Sequence, residues 1–430
     1  MATEGRPALD DTAMFMAMWM HQHPLAEDPE RAVEENETPK TYNKMGVVVK
    51  NADGYLFAAE FSRKYAHPVM SLVLKFGRRL EGSTLYASRK PCSDCTKHML
   101  QVRIKHVYYF PCDPEAGKPT DQKTAEDLEI SDYLFKLSDM SVRIKIPSYI
   151  KSDILEDSTP LDNLEPFGEL ESESEYVVSR QALRCAIIGE EEEKQTVTDE
   201  EFKERMEGKY RTAIMMLNAM TDQYPSGIPP KAIPKGASLN FPEESSETLC
   251  RHGFVMANIT SYRSSDLKTG VGAALMNSKG QYIGFGYSGF PWGISSDDVP
   301  RYGGKTEASA LYVKYPYVIH AETNALIFCN KIGINHKDEK TVLFSTKEPC
   351  NHCAFNIFES GVKMVVYGEK RKKEDGKKPS SEVSSGTIGY GKFSKYAKLK
   401  ENKVNQFIIE TQDDGEPPKK RRRSTKEKTG

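Results

Sequence analysis

The chain has 430 residues, more than one ordinary domain holds, so two or three domains are expected. Its formal charge of −2 argues against a surface devoted to wrapping nucleic acid. No apolar run reaches the roughly 18 residues of a membrane span, and the first residues lack the charged-then-apolar layout of a secretory leader. The eight cysteines include two C-x-x-C pairs, a usage that suits metal sites in a reducing compartment better than a disulfide framework.

Taken in order, residues 45–57 read as a β-hairpin turning at Asp53-Gly54. A helical stretch opening at His67, a strand at 84–88, Pro91-Cys92-Ser93-Asp94-Cys95, a strand at 106–110 and a helix-and-strand tail at 127–146 follow. Residues 151–175 are acidic and turn-rich, and 190–193 form a charge run, both patterns of solvated connectors. Residues 198–224 predict a helix capped by Thr198-Asp199-Glu200-Glu201, with Phe202, Met206, Tyr210, Ile214, Met215 and Leu217 near helical spacing. A Pro/Gly/Ser-rich connector occupies 225–242, and a helix is expected from about 244 to 262.

The first pattern then returns. Residues 271–283 predict a second hairpin, turning at Lys279-Gly280, followed by a buried helix over 318–329 and a strand over 341–346. Pro349-Cys350-Asn351-His352-Cys353 opens a helix reaching Ser360, and a strand at 363–367 and a tail at 393–409 complete the copy. Residues 370–390 read as a surface loop. The fold class is therefore α/β, with two α/β/α units, each a five-stranded mixed sheet flanked by helices. Their bounds are 11–150 and 244–412, separated by a linker at 151–243 and followed by a basic tail at 413–430.

The chemistry concentrates in the second unit. His320, Cys350 and Cys353 offer one imidazole and two thiolates, and Glu322 adds a carboxylate that stays off the metal. A catalytic zinc takes three protein ligands and keeps one position for water. H-x-E followed by P-C-x-x-C is the signature of zinc-dependent nucleobase deaminases, in which the Glu carries protons. In the first unit His67, Cys92 and Cys95 repeat the ligand set, but Val69 stands where the second has Glu322. Valine moves no proton, so the first unit is expected to be catalytically silent, with a structural zinc site that Cys112 approaches as a fourth ligand.

The second unit is similar to deoxycytidylate deaminases over nearly its whole length. The matching stretches are Tyr262–Asp266, Val271–Ala273, Gly286–Gly293, Asp297-Asp298 and Lys314–Glu322. The resemblance implies a cytidine-deaminase fold, zinc as cofactor, a free deoxycytidine nucleotide as substrate and an oligomeric enzyme. It also implies that Arg263 meets phosphate, that the loop of Gly286, Tyr287 and Ser288 lines the nucleotide pocket, and that Ala321 belongs to the substrate-binding set. Two departures stand out, since the family carries Asn where this chain has Lys268 and Ser288. A charge pair at about 4 Å gains roughly 4 kcal/mol at an effective dielectric of about 20, before desolvation. Lys268 thus tilts the expectation towards dCTP, with dCMP as the alternative. An editor of single-stranded DNA or RNA is a further alternative, disfavoured by the modest number of basic residues near the site. The run Lys419-Lys420-Arg421-Arg422-Arg423 reads as a nuclear import signal, giving an expectation of cytoplasmic and nuclear residence.

Overall fold

The computed structural model describes residues 6–23, 42–62, 67–117, 121–149, 198–221, 231–233, 246–264, 270–277, 280–290, 318–329, 341–350, 353–354, 356–357, 360–362, 364–370 and 405–411. Both hairpins form where the turn chemistry places them. In the first, β1 (Gly46–Lys50) pairs antiparallel with β2 (Leu56–Phe61), and Gly54 takes φ 90°, a backbone that favours glycine. The second pairs β7 (Gly272–Met276) with β8 (Tyr282–Tyr287), and Gly280 has φ 70°.

The first unit continues through α2 (Pro68–Phe76), β3 (Thr84–Ala87), α3 (Ser93–Gln101), β4 (His106–Tyr109), α4 (Gln122–Lys136) and β5 (Ser141–Ile144). Strands β3, β4 and β5 run parallel, whereas β1 is antiparallel to β3. The second unit supplies the equivalent set, with β9 (Val342–Ser345), β10 (Met364–Lys370) and β11 (Asn405–Thr411) parallel and β7 antiparallel to β9. Each unit therefore has the expected five mixed strands.

Two features go beyond that expectation. The five-stranded sheets join edge to edge, β2 beside β8 through Ala59 and Tyr282, into one eleven-stranded sheet of order β5-β4-β3-β1-β2-β8-β7-β9-β10-β11-β6. The extra strand β6 (Lys231–Ile233) lies in the proline-rich connector and pairs antiparallel with β11. Pro229, Pro230 and Pro234 around it read as breakers, yet a three-residue edge strand tolerates flanking prolines.

One face of the joined sheet is shared. Helices α1 (Leu9–Gln22), α5 (Asp199–Thr221) and α6 (Ser246–Ser261) pack there into a single core that contains Met14, Met18, Phe61, Leu217, Phe254, Tyr282 and Phe344. A reciprocal box caps α5, with Glu201 N–H donating to Thr198 Oγ1 at 3.2 Å and Thr198 N–H donating to Glu201 Oε2 at 3.0 Å. Its buried stripe includes Phe202, Met206, Tyr210, Ile214 and Leu217, while Met216 takes the buried place expected of Met215. On the opposite face each unit keeps its own core, the first under α2, α3 and α4, the second under the helix that follows His320. Among the described residues no helix is long and apolar enough to cross a membrane.

At the seam His252 is buried beside Trp19 and Phe61 of the first unit, its Nδ1 hydrogen-bonded with Tyr282 Oη at 2.7 Å. Burial lowers its pKa to about 3. The folded chain thus keeps this imidazole neutral, while the unfolded chain protonates it below about pH 6.5. Stability is therefore expected to fall as pH drops from 6.5 towards 3, with His252 contributing up to about 1.4 kcal/mol per pH unit. Denaturant unfolding across that range checks it: His252→Gln, which takes up no proton, should flatten the slope, and an unchanged slope contradicts the assignment.

Candidate active site

The site is built where α7 (Ala321–Ile327) meets the ends of β8 and β9. The helix is shorter than the predicted 318–329 because Ile319 is held in extended pairing with Gly289, N–H to O at 2.8 and 3.0 Å in the two directions. That bridge leaves His320 as the N-cap residue, with extended backbone (φ −75°, ψ 153°), and Glu322 in the first turn. Asn324 Nδ2 donates to Tyr287 O at 2.8 Å and ties the same turn to the end of β8.

Glycine makes this approach possible. A Cβ on Gly286 would lie 2.2 Å from Ala321 O and 2.3 Å from Ala325 N, and one on Gly284 would lie 2.8 Å from Ala325 O. The helix backbone rests directly on β8, so Gly286 acts on the site through packing. Ala321, fully buried, is the residue it packs against.

Beyond β9 the chain bends at Thr346 and Lys347 before Pro349, and Ala354 N–H donates to Cys350 O at 2.9 Å. Cys350 Sγ and Cys353 Sγ each lie 3.3 Å from His320 Nδ1. Tetrahedral zinc with bonds of about 2.0–2.3 Å separates its donors by about 3.3–3.8 Å, so the three atoms fit that ion. They form a donor group from which Glu322 is left out.

Glu322 is 3% exposed, accepts from Ser345 Oγ at 3.1 Å through Oε1, and has Oε2 3.5 Å from Cys353 Sγ. Burial pushes its pKa above the ordinary carboxylate value, which favours proton uptake. The Cys353 thiol and His320 hold Cys350 down to about 4, while the same contact and burial push Cys353 up. The pair gives up one proton readily and presents a thiolate to a cation. Thr323 Oγ1 lies 3.7 Å from Cys353 Sγ and accepts from Asn356 Nδ2 at 3.0 Å, orienting the second thiol.

The expected nucleotide contacts are placed unevenly. Tyr287 and Gly286 line a cavity of about 290 Å³, together with Gly289, Ile319 and Asn324 and with Asp53, Gly54 and Tyr55 of the first unit. Tyr55 stacks on Phe328 at 3.6 Å, so the first hairpin walls the space beside the site. Arg263 Nη1 donates to Pro7 O at 2.9 Å and its guanidinium lies 5.5 Å from the Tyr287 ring centre, so here it ties the N-terminal segment to the loop. The Ser288 hydroxyl is buried, accepting from Val271 N–H at 3.1 Å and sharing a 2.6 Å hydrogen bond with Ser264. Its neighbours already satisfy it, which makes it a structural fastening for the loop. Lys268 and the basic run Lys419, Lys420, Arg421, Arg422, Arg423 lie outside the described residues.

The first unit repeats the geometry. His67 stands at the N-cap position of α2, Cys92 caps α3 through its side chain, and Cys92 Sγ and Cys95 Sγ are each 3.4 Å from His67 Nδ1. Cys112 is corrected, since its Sγ donates to Ser88 O at 3.1 Å and it stands outside the donor group. Glu115 joins His67, Cys92 and Cys95 instead. Sequence reasoning passed over Glu115 because a lone Glu in a loop carries no motif. It missed Ser345 because a serine at the end of a strand carries no motif either.

The family model for the cytidine and deoxycytidylate deaminase zinc-binding region matches residues 29–111 and 250–369. Deoxycytidylate deaminase of Homo sapiens is 38% identical over 112 residues, 26% of this chain and 60% of that protein. The chain thus spans about three-fifths of the length of that relative. The cytidine and dCMP deaminase domain-containing protein 1 of Danio rerio is 24% identical along 95% of this chain and 91% of its own length. Among solved structures, the apo dCMP deaminase of cyanophage S-TIM5 is 27% identical, covers 30% of this chain and 86% of its own, and has a TM-score of 0.21.

Gly286→Ala is expected to push α7 off β8, costing about 1–3 kcal/mol of stability and loosening zinc. Denaturant unfolding with zinc retention against a chelator reads both, and a variant with unchanged values would show that the approach is not needed.

Proposed function

We infer that this chain, which belongs to the cytidine and deoxycytidylate deaminase family and carries its zinc-binding region twice, hydrolytically deaminates the cytosine base of a free deoxycytidine nucleotide in its second unit. The observation that carries the reading is the buried Glu322 carboxylate within hydrogen-bond range of the His320, Cys350 and Cys353 group but not part of it. Zinc, when bound by those three residues, supplies Lewis acidity and lowers the pKa of a water.

Glu322 does the proton work. It accepts a proton from water as the oxygen adds to C4 of cytosine, and passes that proton to N3. It then protonates the exocyclic amine from the remaining water proton, the C4–N bond breaks, and ammonia leaves with uracil as the product. Ser345 keeps the carboxylate aimed, because its hydroxyl donates to Oε1. Close packing of α7 on β8 fixes the carboxylate relative to the metal donors and keeps bulk water away.

Phosphate count divides the substrate reading. A lysine at position 268, where the family has a neutral side chain, favours dCTP by adding a point charge for polyphosphate. The relatives named deoxycytidylate deaminases favour dCMP. Incubating zinc-loaded chain with dC, dCMP, dCTP, CTP and a cytosine-bearing oligonucleotide decides by product mass. Conversion of dCTP fastest supports the first reading, dCMP fastest the second, and conversion of the oligonucleotide alone overturns both.

Glu322→Gln is expected to keep zinc and lose turnover by about 10²- to 10⁴-fold. Full turnover in the zinc-loaded variant contradicts the role. Ser345→Ala removes a donor that stabilises the charged carboxylate, so Glu322 should titrate higher. The acid limb of its kcat–pH profile is expected to move up, with turnover about tenfold lower; an unmoved limb counts against the contact.

A further inference from the structure

We propose that the first unit holds its own zinc in a closed site of four protein ligands, His67, Cys92, Cys95 and Glu115, with Glu115 in the position that water takes in the second unit. The inference goes beyond the deaminase reading and does not depend on it.

The donor atoms of these residues lie together within 4.8 Å. Both thiols are 3.4 Å from His67 Nδ1, the spacing of neighbouring ligands around tetrahedral zinc. Glu115 Oε1 lies 2.9 Å from the same nitrogen, an ion-pair distance that a zinc between them would widen by about 0.4 Å. Its other oxygen accepts from Cys92 N–H at 3.0 Å, which turns the carboxylate towards the cluster as an outer hydrogen bond does at metal sites.

Glu115 is 1% exposed, and its backbone is pinned at both ends. Its N–H donates to Lys90 O and its carbonyl accepts from Asn43 N–H, each at 2.9 Å. A carboxylate placed this rigidly beside two buried thiols needs a positive partner, and the His67 Nδ1 that pairs with Glu115 is the atom through which His67 would bind zinc, so the ion takes the place of the shared proton. Imidazole, two thiolates and a carboxylate are a donor set that suits zinc.

The rest of the unit has changed in the matching direction. Val69 occupies the helix position, two after the histidine, that Glu322 occupies in the second copy. The strand registers place Ala87 opposite Val47 as Ser345 stands opposite Ala273, so the residue that would orient a proton carrier is absent as well. One unit loses its shuttle and its orienting hydroxyl and gains a fourth ligand. A closed site of this kind is structural: it clamps the N-termini of α2 and α3 to the loop after β4, and through β1 and β2 supports the hairpin that walls the cavity beside the second site.

The test uses the full chain and counts metal without any reference to turnover. Purified protein is expected to carry two zinc ions per chain, Cys350→Ser one, and Cys92→Ser one. A content unaffected by Cys92→Ser overturns the site. Closure is read separately. In the Cys350→Ser chain loaded with cobalt, the visible absorption bands are expected to ignore added azide, whereas Glu115→Ala in the same background should open a position and make them respond. Bands that shift with azide while Glu115 is intact overturn the fourth ligand. Glu115→Gln keeps the side-chain volume and the fold, and is expected to lose zinc to a chelator about tenfold more readily or more; unchanged retention also overturns the assignment.

Discussion

Burying a carboxylate against two thiols and an imidazole is the constraint on which the second unit depends. Each of these groups is costly to remove from water by itself. Together they form a pocket that gives up protons and accepts a divalent cation, and the remaining carboxylate is left with a raised affinity for protons. The surroundings serve that arrangement. The extended bridge of Ile319 with Gly289 sets where α7 begins, the absence of side chains at Gly284 and Gly286 sets how near it comes, and Ser345 sets where Glu322 points. Proton carrier and metal donors are thus tied to one strand–helix contact.

Comparing the two copies separates scaffold from chemistry. In both, the glycine that opens the hairpin lets a helix rest on the strand: a Cβ on Gly46 would lie 2.2 Å from Ala17 O, and one on Gly272 would lie 1.9 Å from Ala257 O. In both, that glycine's N–H donates to a hydroxyl after the neighbouring strand, Ser88 or Thr346. The fastening of Ser62 to Met45 recurs as Ser288 to Val271. These pairs explain why Ser288 is conformational in origin. In the metal pocket the copies part, with Val69 and Ala87 standing where the second has Glu322 and Ser345.

Local periodicity and short motifs made much of this legible. Asp53-Gly54 and Gly280 marked turns through their backbone freedom, and His-x-Glu with Pro-Cys-x-x-Cys marked the donors because metal geometry restricts spacing. The helix 9–22 escaped for a physical reason: Asp11 through Met20 are buried on every side between the sheet and two other helices, so no polar face exists to betray a 3.6-residue period. The joined sheet escaped because a single bridge, Ala59 to Tyr282, and a shared helical layer are long-range facts without local signature. Glu115 and Cys112 exchanged roles because proximity after a strand depends on how the loop turns, which composition does not encode.

The most direct measurement of the account is isotopic. When zinc-loaded chain turns over a cytosine nucleotide in oxygen-18 water, the uracil product is expected to gain one heavy oxygen at C4 with release of ammonia, and only while Cys350 and Glu322 are both present. Release of an unlabelled product, or label that still enters when Cys350 is replaced, would contradict hydrolysis at the second unit's pocket.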